Sequence, residues 1–160
     1  MALGITFSAG QFLTASSLMA LVDAARNSTA AINGQALSAG ASETTTSATF
    51  VNCAGTGSTT SFSWTKKRSD TDALLKIDAS ALNATANAYI RFALRINGTD
   101  YELAGGAAGT IQSDFSGERV VSGIPAGTYT VQVRWRRSAG AGTPTRNENC
   151  WLSASVQECN

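Results

Sequence analysis

Apolar and polar residues alternate with a period of two through most of the chain after residue 40. The clearest run is NAYIRFALRING, where one face carries Ile90, Phe92, Leu94 and Ile96 and the other Arg91, Ala93 and Arg95. One apolar face opposite one polar face is typical of a half-buried β-strand. The Asn97-Gly98 pair that follows predicts a tight turn into a second strand, TDYELA.

A second strand of this kind lies in GTYTVQVRWRR, and the turn GIPAG at residues 123–127 leads into it. Its predicted inward residues are Tyr129, Val131, Val133 and Trp135. Shorter runs predict further strands, namely SATFVN, TSFSWTK, ALLKID, GERVVSG and CWLSASVQE. About eight short strands with Gly and Asn turns favour a mainly β fold, an antiparallel β-sandwich of the jelly-roll kind, and another antiparallel sandwich stays open.

The N-terminal part of the chain follows a helical period instead. Within residues 12–32, FLTASSLMALVDAARNSTAAI, the apolar positions Leu18, Leu21, Val22 and Ala25 follow the spacing i, i+3, i+4, i+7. One short α-helix is predicted here, ending at Asn27 or Asn33-Gly34. Because such a helix is marginal alone in water, its apolar stripe needs a partner: its own β-domain, sister helices or another protein.

Two further segments complete the predicted organisation. Ahead of the helix, Ile5, Phe7 and Phe12 alternate with small residues, as in a short extended arm. After it, SAGASETTTSA at residues 38–48 reads as a linker or an extended approach to the first strand. We therefore predict an attachment arm with helix and linker at 1–40 and a β-sandwich head at 41–160.

The composition is poor in charge and rich in small polar residues. Charged residues make up 14% of the chain and the formal net charge is +1. Such a surface suits close packing against copies of the same protein or against a larger assembly. It lacks the clustered Lys and Arg side chains that bind nucleic acid, so no nucleic-acid partner is predicted. The first 15 residues have no basic region and no apolar run reaches membrane-span length, so neither a signal peptide nor membrane insertion is predicted.

The residues that usually carry catalysis or bind metals are few. The chain has no histidine, which removes Ser-His and Cys-His pairs and most zinc sites. The three cysteines are too few for a disulfide framework and do not have the spacing of metal ligands. We expect them to be buried free thiols, and a disulfide between Cys53 and Cys150 is the alternative. We predict no catalytic, cofactor-binding or metal-binding residues and no cofactor.

Two carboxylate pairs and the tryptophans keep an enzymatic alternative open. Asp70 with Asp72, and Asp114 with Glu118, are candidates for glycoside hydrolysis or a calcium ion, although both stretches read as polar loops. Tryptophans are able to line a sugar site, but Trp64 and Trp135 fall on strand faces that read as core. A glycan depolymerase is therefore the less favoured alternative.

The opening of the chain resembles that of many small bacteriophage virion proteins. Their phrase TF-x-AG-x-x-LTA-x-x-LN-x-LV is matched here by Thr6, Phe7, Ala9, Gly10, Leu13, Thr14, Ala15, Leu18 and Leu21, while Met19 replaces the usual Asn. Over residues 45–158 the strand order and turn phrases resemble the jelly-roll heads of phage fibres, which are similar in outline to the trimeric C1q and TNF heads. The phrases are SFSWTKKRSDTDALLKID, RFALRINGTDYELA, GIPAGTYTVQVRWRR and LSASVQE.

This resemblance implies a non-enzymatic virion protein, assembled in the host cytoplasm, that docks on the particle through its N-terminal segment. It implies a homotrimer with an outward β-head, other tail or capsid proteins as partners, and host attachment to a surface glycan or receptor through loops such as Arg137–Asn149. The implied docking and trimerisation residues are Ile5, Phe7, Phe12, Leu13, Leu18, Leu21 and Val22. A fibre or spike is favoured, and a capsid decoration or head-fibre protein that stabilises the shell is the alternative.

Overall fold

A computed structural model describes residue 14 and residues 28–54, 57, 59–83 and 88–159. Every regular element in those residues is a β-strand, and two antiparallel sheets contain all of them. The eleven strands are β1 (Thr29–Ala36), β2 (Ser42–Thr44), β3 (Val51–Asn52), β4 (Ser61–Lys66), β5 (Asp72–Asn83), β6 (Ala88–Ile96), β7 (Thr99–Ala108), β8 (Ser113–Val121), β9 (Gly127–Ala139), β10 (Pro144–Asn147) and β11 (Trp151–Cys159).

The chain passes repeatedly between the two sheets. In the first sheet, β1, β11, β5 and β8 lie side by side in that order. Beyond the first residue of β11, the short strand β10 pairs with the end of β5, and β2 pairs with β10. The second sheet has the order β7, β6, β9, with β3 and β4 both pairing with β9. The first and last strands, β1 and β11, are therefore neighbours, and the predicted antiparallel β-sandwich is confirmed.

The inward faces of the two sheets form one apolar core. Ile90, Phe92, Leu94 and Ile96 are fully buried, which confirms the period-two prediction for β6. The ring of Phe92 lies 6.2 Å from Trp135 and 5.6 Å from Phe115, so residues of both sheets meet at the centre of the sandwich. Trp64 and Trp135 are both 1% exposed, as predicted for core tryptophans.

The predicted tight turn between β6 and β7 is also confirmed. Asn97 and Gly98 have φ angles of 49° and 79°, and the flanking Ile96 and Thr99 are paired. Two successive positive φ angles are characteristic of the type I′ turn, whose twist matches that of the strands it joins. Asn and Gly are the residues that adopt this conformation at least cost.

The predicted helix is wrong in its last four residues. Thr29–Ile32 belong to β1, which pairs antiparallel with β11 from Thr29 opposite Gln157 to Ala36 opposite Trp151. Ile32 is 6% exposed, because the strand closes the edge of the first sheet and buries its apolar side chain there. Pairing with a distant strand thus overrides the local helical period. The rest of the helix and the docking residues Ile5, Phe7, Phe12, Leu13, Leu18, Leu21 and Val22 lie outside the described residues.

Two segments predicted to be irregular contain strands of the sandwich. β1 and β2 lie within residues 29–44, so the sandwich begins by Thr29, ahead of the boundary near residue 40 that the sequence suggests. The stretch Arg137–Asn149 is not one loop, because Pro144–Asn147 form β10 between β5 and β2. Only residues 140–143 and 148–149 of that stretch are irregular.

The sandwich has two distinct ends. At the entry end lie Ser28, where the chain joins β1, the loops 67–71 and 122–126, the turn 97–98, and the last residue of β11. At the far end lie the loops 109–112 and 140–143, next to the start of β6. Residues that precede Ser28 therefore join the sandwich at the entry end.

Gly117 allows the edges of the two sheets to approach each other closely. A Cβ at this position would lie 2.1 Å from the carbonyl oxygen of Leu103 in β7. Because that neighbour is backbone, we expect Gly117→Ala to lower the free energy of unfolding by about 2–3 kcal/mol. The matched control is Gly109→Ala, where a Cβ meets nothing within 4 Å. Urea unfolding of both variants checks this, and equal stability would contradict the close approach.

Candidate functional site

The junction at the entry end is held by a compact set of polar contacts around Ser28. The Ser28 carbonyl oxygen accepts a hydrogen bond from the Glu158 amide at 2.8 Å and another from Trp64 Nε1 at 3.4 Å. The Ser28 hydroxyl donates to Glu158 Oε2 at 3.1 Å. The first described residue ahead of β1 is therefore bonded to the last strand and to a core tryptophan.

The Glu158 carboxylate is the centre of this junction. Besides Ser28, it accepts hydrogen bonds from the Lys67 amide at 3.0 Å, the Arg68 amide at 2.9 Å and the Thr71 hydroxyl at 2.6 Å. Burial raises the pKa of Glu158, but these hydrogen bonds together outweigh it, and the pKa lies below its usual value. Glu158 is therefore a buried carboxylate that stays ionised at neutral pH.

Lys66 holds the same loop from inside the sandwich. Its side chain is 1% exposed, and Nζ donates to the Thr71 carbonyl at 2.7 Å, to the Thr71 hydroxyl at 2.9 Å and to the Arg68 carbonyl. Thr71 thus lies between the buried ammonium and the buried carboxylate, accepting from one and donating to the other. We call Ser28, Trp64, Lys66, Thr71 and Glu158 the entry junction.

The entry junction fixes where the N-terminal segment leaves the sandwich. Its contacts connect three segments far apart in sequence: the start of β1, the loop 67–71 and the end of β11. Buried polar groups that are fully hydrogen-bonded are costly to rearrange, so the direction of the chain at Ser28 is well defined.

Neutralising Glu158 is expected to destabilise the sandwich at neutral pH. Glu158→Gln replaces one acceptor oxygen with a donor that faces other donors, so we expect a loss of about 2 kcal/mol in the free energy of unfolding at pH 7. Because folding lowers the Glu158 pKa, its contribution is complete above the unfolded value of about 4.3 and is lost as pH falls through the folded value. The difference between wild type and variant should therefore shrink below about pH 4.3.

Thermal and urea unfolding of both proteins across that pH range measure this difference. The matched control is Glu148→Gln, the same chemical change at an exposed carboxylate for which no polar contact is found within the described residues. A difference that is independent of pH, or equal for both variants, would show that the Glu158 carboxylate does not stabilise the junction.

The outer face of the second sheet carries a ladder of ion pairs. Arg134 Nη1 lies 2.9 Å from both carboxylate oxygens of Asp100, and Arg136 Nη2 lies 3.0 Å from Glu102 Oε2. Arg91 and Arg95 approach the same two acids from β6, at 3.4 and 3.7 Å. Cross-strand pairs of opposite charge stabilise a sheet, so these half-buried residues contribute to the stability of the second sheet.

A buried ion pair lies where β10 joins β2. The Arg146 guanidinium is fully buried and contacts Glu43 through Nη1, while Glu43 Oε2 accepts from the Ala54 amide at 2.6 Å. Burial raises the pKa of the adjacent Cys53 thiol, the Glu43 charge raises it further, and Arg146 opposes this without cancelling it. Cys53 is therefore a protonated thiol at neutral pH, and Cys53, Cys150 and Cys159 are all free.

The carboxylate pairs suggested by the sequence do not come together as acid–base pairs. Asp114 and Glu118 occupy the same face of β8 four residues apart, about 13 Å along the strand, and Glu118 pairs with Lys76 at 2.9 Å. Glycosidases hold their two carboxyl groups closer, about 5–9.5 Å apart. In the other pair, the Arg68 side chain is hydrogen-bonded to Asp70 and lowers the pKa of Asp70 to about 2. Asp72 is the first residue of β5 and lies opposite Cys159.

No built ligand site is evident among the described residues. Depressions of about 120 and 240 Å³ on the outer face of the first sheet share Lys76 and Asp78, and one of about 230 Å³ lies beside Cys53. Pockets for small molecules are typically larger, about 300–1,000 Å³. Within residues 28–54, 57, 59–83 and 88–159, no group of three or more Cys, Asp or Glu side chains is arranged to hold a metal ion, and no helix could span a membrane.

Comparison with known proteins identifies no family. No protein-family model matches the chain, and no curated protein matches it. One similar solved structure is described as "Structure of infectious bursal disease virus Gx strain", with 13% identity and a TM-score of 0.48. The match covers 82% of this chain and 33% of that chain, so the chain spans about a third of that protein's length. The function is therefore argued from the chain's own residues.

Proposed function

We propose that this chain is a non-enzymatic structural protein of bacteriophage virions, a trimeric fibre or spike. Its N-terminal segment docks on the particle and its β-sandwich faces outward. We assign the sandwich to the jelly-roll type, because the orders β1-β11-β5-β8 and β4-β9-β6-β7, with the first and last strands adjacent, agree with two interleaved Greek keys. Jelly rolls are frequent among viral capsid domains, although the fold alone does not define a function.

The observation that carries the proposal is the place at which the chain enters the sandwich. Every strand of the described sandwich lies within residues 29–159, and the chain enters it at one end through the entry junction. Residues 1–27 precede this entry point in the sequence, and they contain the apolar residues and the phrase that resembles virion proteins. A segment of this composition, attached at a fixed point, is suited to gripping another protein.

The trimeric state is supported by the composition of both parts. The stripe Leu18, Leu21 and Val22 needs an apolar partner, and sister chains around an axis would supply one. The small, weakly charged surface of the head suits close packing between copies. Ile5, Phe7, Phe12 and Leu13 would then contact the particle.

Labelling of intact particles tests the proposal. Gold-labelled antibody against the head is imaged on particles from the source lysate, and copy number is measured in the same preparation. Label at the tail with few copies supports a fibre. Label over the capsid with tens to hundreds of copies supports the alternative, a decoration or head-fibre protein that stabilises the shell. Absence of label from every particle would contradict the virion role itself.

The non-enzymatic part of the proposal has its own test. The separation of Asp114 and Glu118 and the ion pairing of Asp70 and Glu118 favour a role without catalysis. We expect no release of reducing ends when the protein is incubated with host capsule or lipopolysaccharide. Release that is lost on Asp70→Ala or Asp114→Ala would establish a depolymerase instead.

A further inference from the structure

A small apolar patch lies on the outer face of the first sheet, near the entry end. Val120 of β8 is 56% exposed, one of three exposed large apolar side chains among the described residues. It lies directly opposite Leu74 of β5, which is half-buried. Their chain neighbours Ala73, Leu75 and Val121 are buried, so the two side chains point outward, and neither packs against the apolar core. We call Leu74 and Val120 the entry patch.

The entry patch is in the same cross-strand row as the residue with which β1 begins. Thr29 of β1 pairs with Gln157 of β11, and Gln157 pairs in turn with Leu74. Val120 is the last member of this row. Because neighbouring strands lie about 4.8 Å apart, the patch begins about 10 Å from Thr29 and ends about 14 Å from it. The N-terminal segment therefore joins the sandwich beside this patch.

Polar side chains border the entry patch on the rest of this face. The next row contains the ion pair of Lys76 with Glu118 and the side chain of Ser155, and the row beyond it contains Asp78. An apolar patch bordered by polar groups is typical of a contact with another protein. Because this patch comprises two side chains, it fits a contact with one turn of an apolar helix face rather than with a whole sheet.

The stripe Leu18, Leu21 and Val22 has the size and the position to cover the entry patch. At the helical spacing that the sequence predicts, its three side chains extend over about 6 Å, close to the distance between two strands. Residues 23–28 connect the stripe to β1, and six residues span up to about 20 Å. The stripe is therefore within reach of the patch on its own head and of the patch on a neighbouring head whose entry end is close.

We propose that the entry patch receives the stripe Leu18, Leu21 and Val22 of a sister chain. Each N-terminal segment then packs on the head of the next chain, and this head-to-tail contact closes into a ring of three. Exchange of an identical segment between copies is a low-cost route to such an assembly. The inference rests on the proposed function, since the trimer requires contacts between chains, and it adds the surface of the head that supplies them. It also requires the entry ends of neighbouring heads to lie within about 20 Å of one another.

Disulfide trapping in the full-length chain tests this contact. Leu21→Cys and Val120→Cys are combined in a chain that carries Cys159→Ser, because the native Cys159 lies in the row next to the patch. Copper phenanthroline in air serves as the oxidant of the two introduced thiols. We expect disulfide-linked dimers and trimers on a non-reducing gel, and none from either introduced cysteine alone. The matched control combines Leu21→Cys with Ile111→Cys, which replaces another exposed apolar side chain at the far end, and should give no linked species.

A second measurement removes the apolar contact without a cross-link. Val120→Ser is expected to raise the concentration at which half of the chains are trimeric at least about tenfold, because it places a polar side chain in an apolar contact. Analytical ultracentrifugation measures this concentration. Ile111→Ser makes the same kind of change far from the patch and should leave it within about twofold of wild type.

A disulfide within a single chain would overturn the inference, because the stripe would then cover its own head. Linked species from Leu21→Cys alone would also overturn it, since the stripes of sister chains would then cover one another. A trimer that forms no disulfide in the paired variant, or that tolerates Val120→Ser, would overturn the inference and leave the trimeric state intact. A monomeric wild type would overturn both. Particle labelling is independent of these assays, so failure of the contact and failure of the virion role are distinguishable.

Discussion

A chain that begins at Ser28 is expected to fold into a sandwich of nearly wild-type stability, whereas one that begins at Leu37 is expected to fail to fold. The shorter deletion removes residues 1–27 and keeps all eleven described strands. It keeps the Ser28 carbonyl and hydroxyl groups that bond to Glu158 and Trp64. We expect its free energy of unfolding to stay within about 1 kcal/mol of wild type.

The longer deletion removes β1 and with it one edge of the first sheet. It takes away the buried Ile32 side chain, worth about 2 kcal/mol, and exposes the edge of β11, which loses its partners from Trp151 to Gln157. The Glu158 amide and Trp64 Nε1 also lose the Ser28 carbonyl oxygen. The combined loss, roughly 5 kcal/mol or more, is comparable to the whole stability of a small domain.

Circular dichroism and urea unfolding of both truncated chains measure these effects. The prediction distinguishes the docking role from the alternative in which the stripe Leu18, Leu21 and Val22 packs on its own sandwich. If the chain that begins at Ser28 loses several kcal/mol or aggregates, the N-terminal segment belongs to the fold of the head, and the proposed separation is wrong. An unchanged fold for the chain that begins at Leu37 would contradict the described role of β1.

Removing the Arg146 side-chain charge is expected to cost about 3–5 kcal/mol in the free energy of unfolding. Arg146→Met leaves the Glu43 carboxylate, in a largely buried position, without its cation. A buried charge that loses its partner is destabilising, whereas replacing both members of a buried pair with apolar residues is often neutral. Among the described residues, no oxygen or nitrogen partner is found for Arg146 Nε and Nη2, so Glu43 is the main polar contact that the pair provides.

The double variant Arg146→Met with Glu43→Leu is therefore expected to regain most of the loss. Lys76→Met is the matched control, because its ion pair with Glu118 is exposed and should be worth less than about 1 kcal/mol. Chemical unfolding of the four proteins completes the comparison. An Arg146→Met variant as stable as wild type, or a double variant less stable than Arg146→Met, would contradict the assignment of a buried ion pair.

The sequence correctly predicts the strands that have one clearly apolar and one clearly polar face. It fails for strands that form only because they pair with a strand far away in the sequence. β6 and β9 carry an unbroken apolar alternation, so their inward residues are correctly predicted. The start of β1 is predicted as helix because its small residues fit the helical period as well as the strand period. Only the pairing of β1 with β11 decides between the two. β10 reads as loop because four residues containing Pro144 carry too little pattern to indicate a strand.

Two charged residues of the entry junction, Glu158 and Lys66, were missed, although the alternation of their strands contains a sign of both. Glu158 follows the inward positions Leu152, Ala154 and Val156 of β11, and Lys66 follows the inward Trp64 of β4. A charged residue at an inward position at the end of a strand predicts a buried polar contact. Its partners are backbone amides and hydroxyls of a loop distant in sequence, which periodicity cannot identify. The seven docking residues stay a prediction, since they lie outside the described residues.

The central claim is that residues 1–27 attach a self-contained β-head to a phage particle. The measurement that tests it most directly is the amount of this chain in purified particles when the host supplies either the full-length chain or the chain that begins at Ser28, each at equal soluble concentration. We predict that the full-length chain co-purifies with particles at a fixed copy number and that the truncated chain, although folded, is absent. Equal incorporation of both chains, or of neither, would contradict the claim.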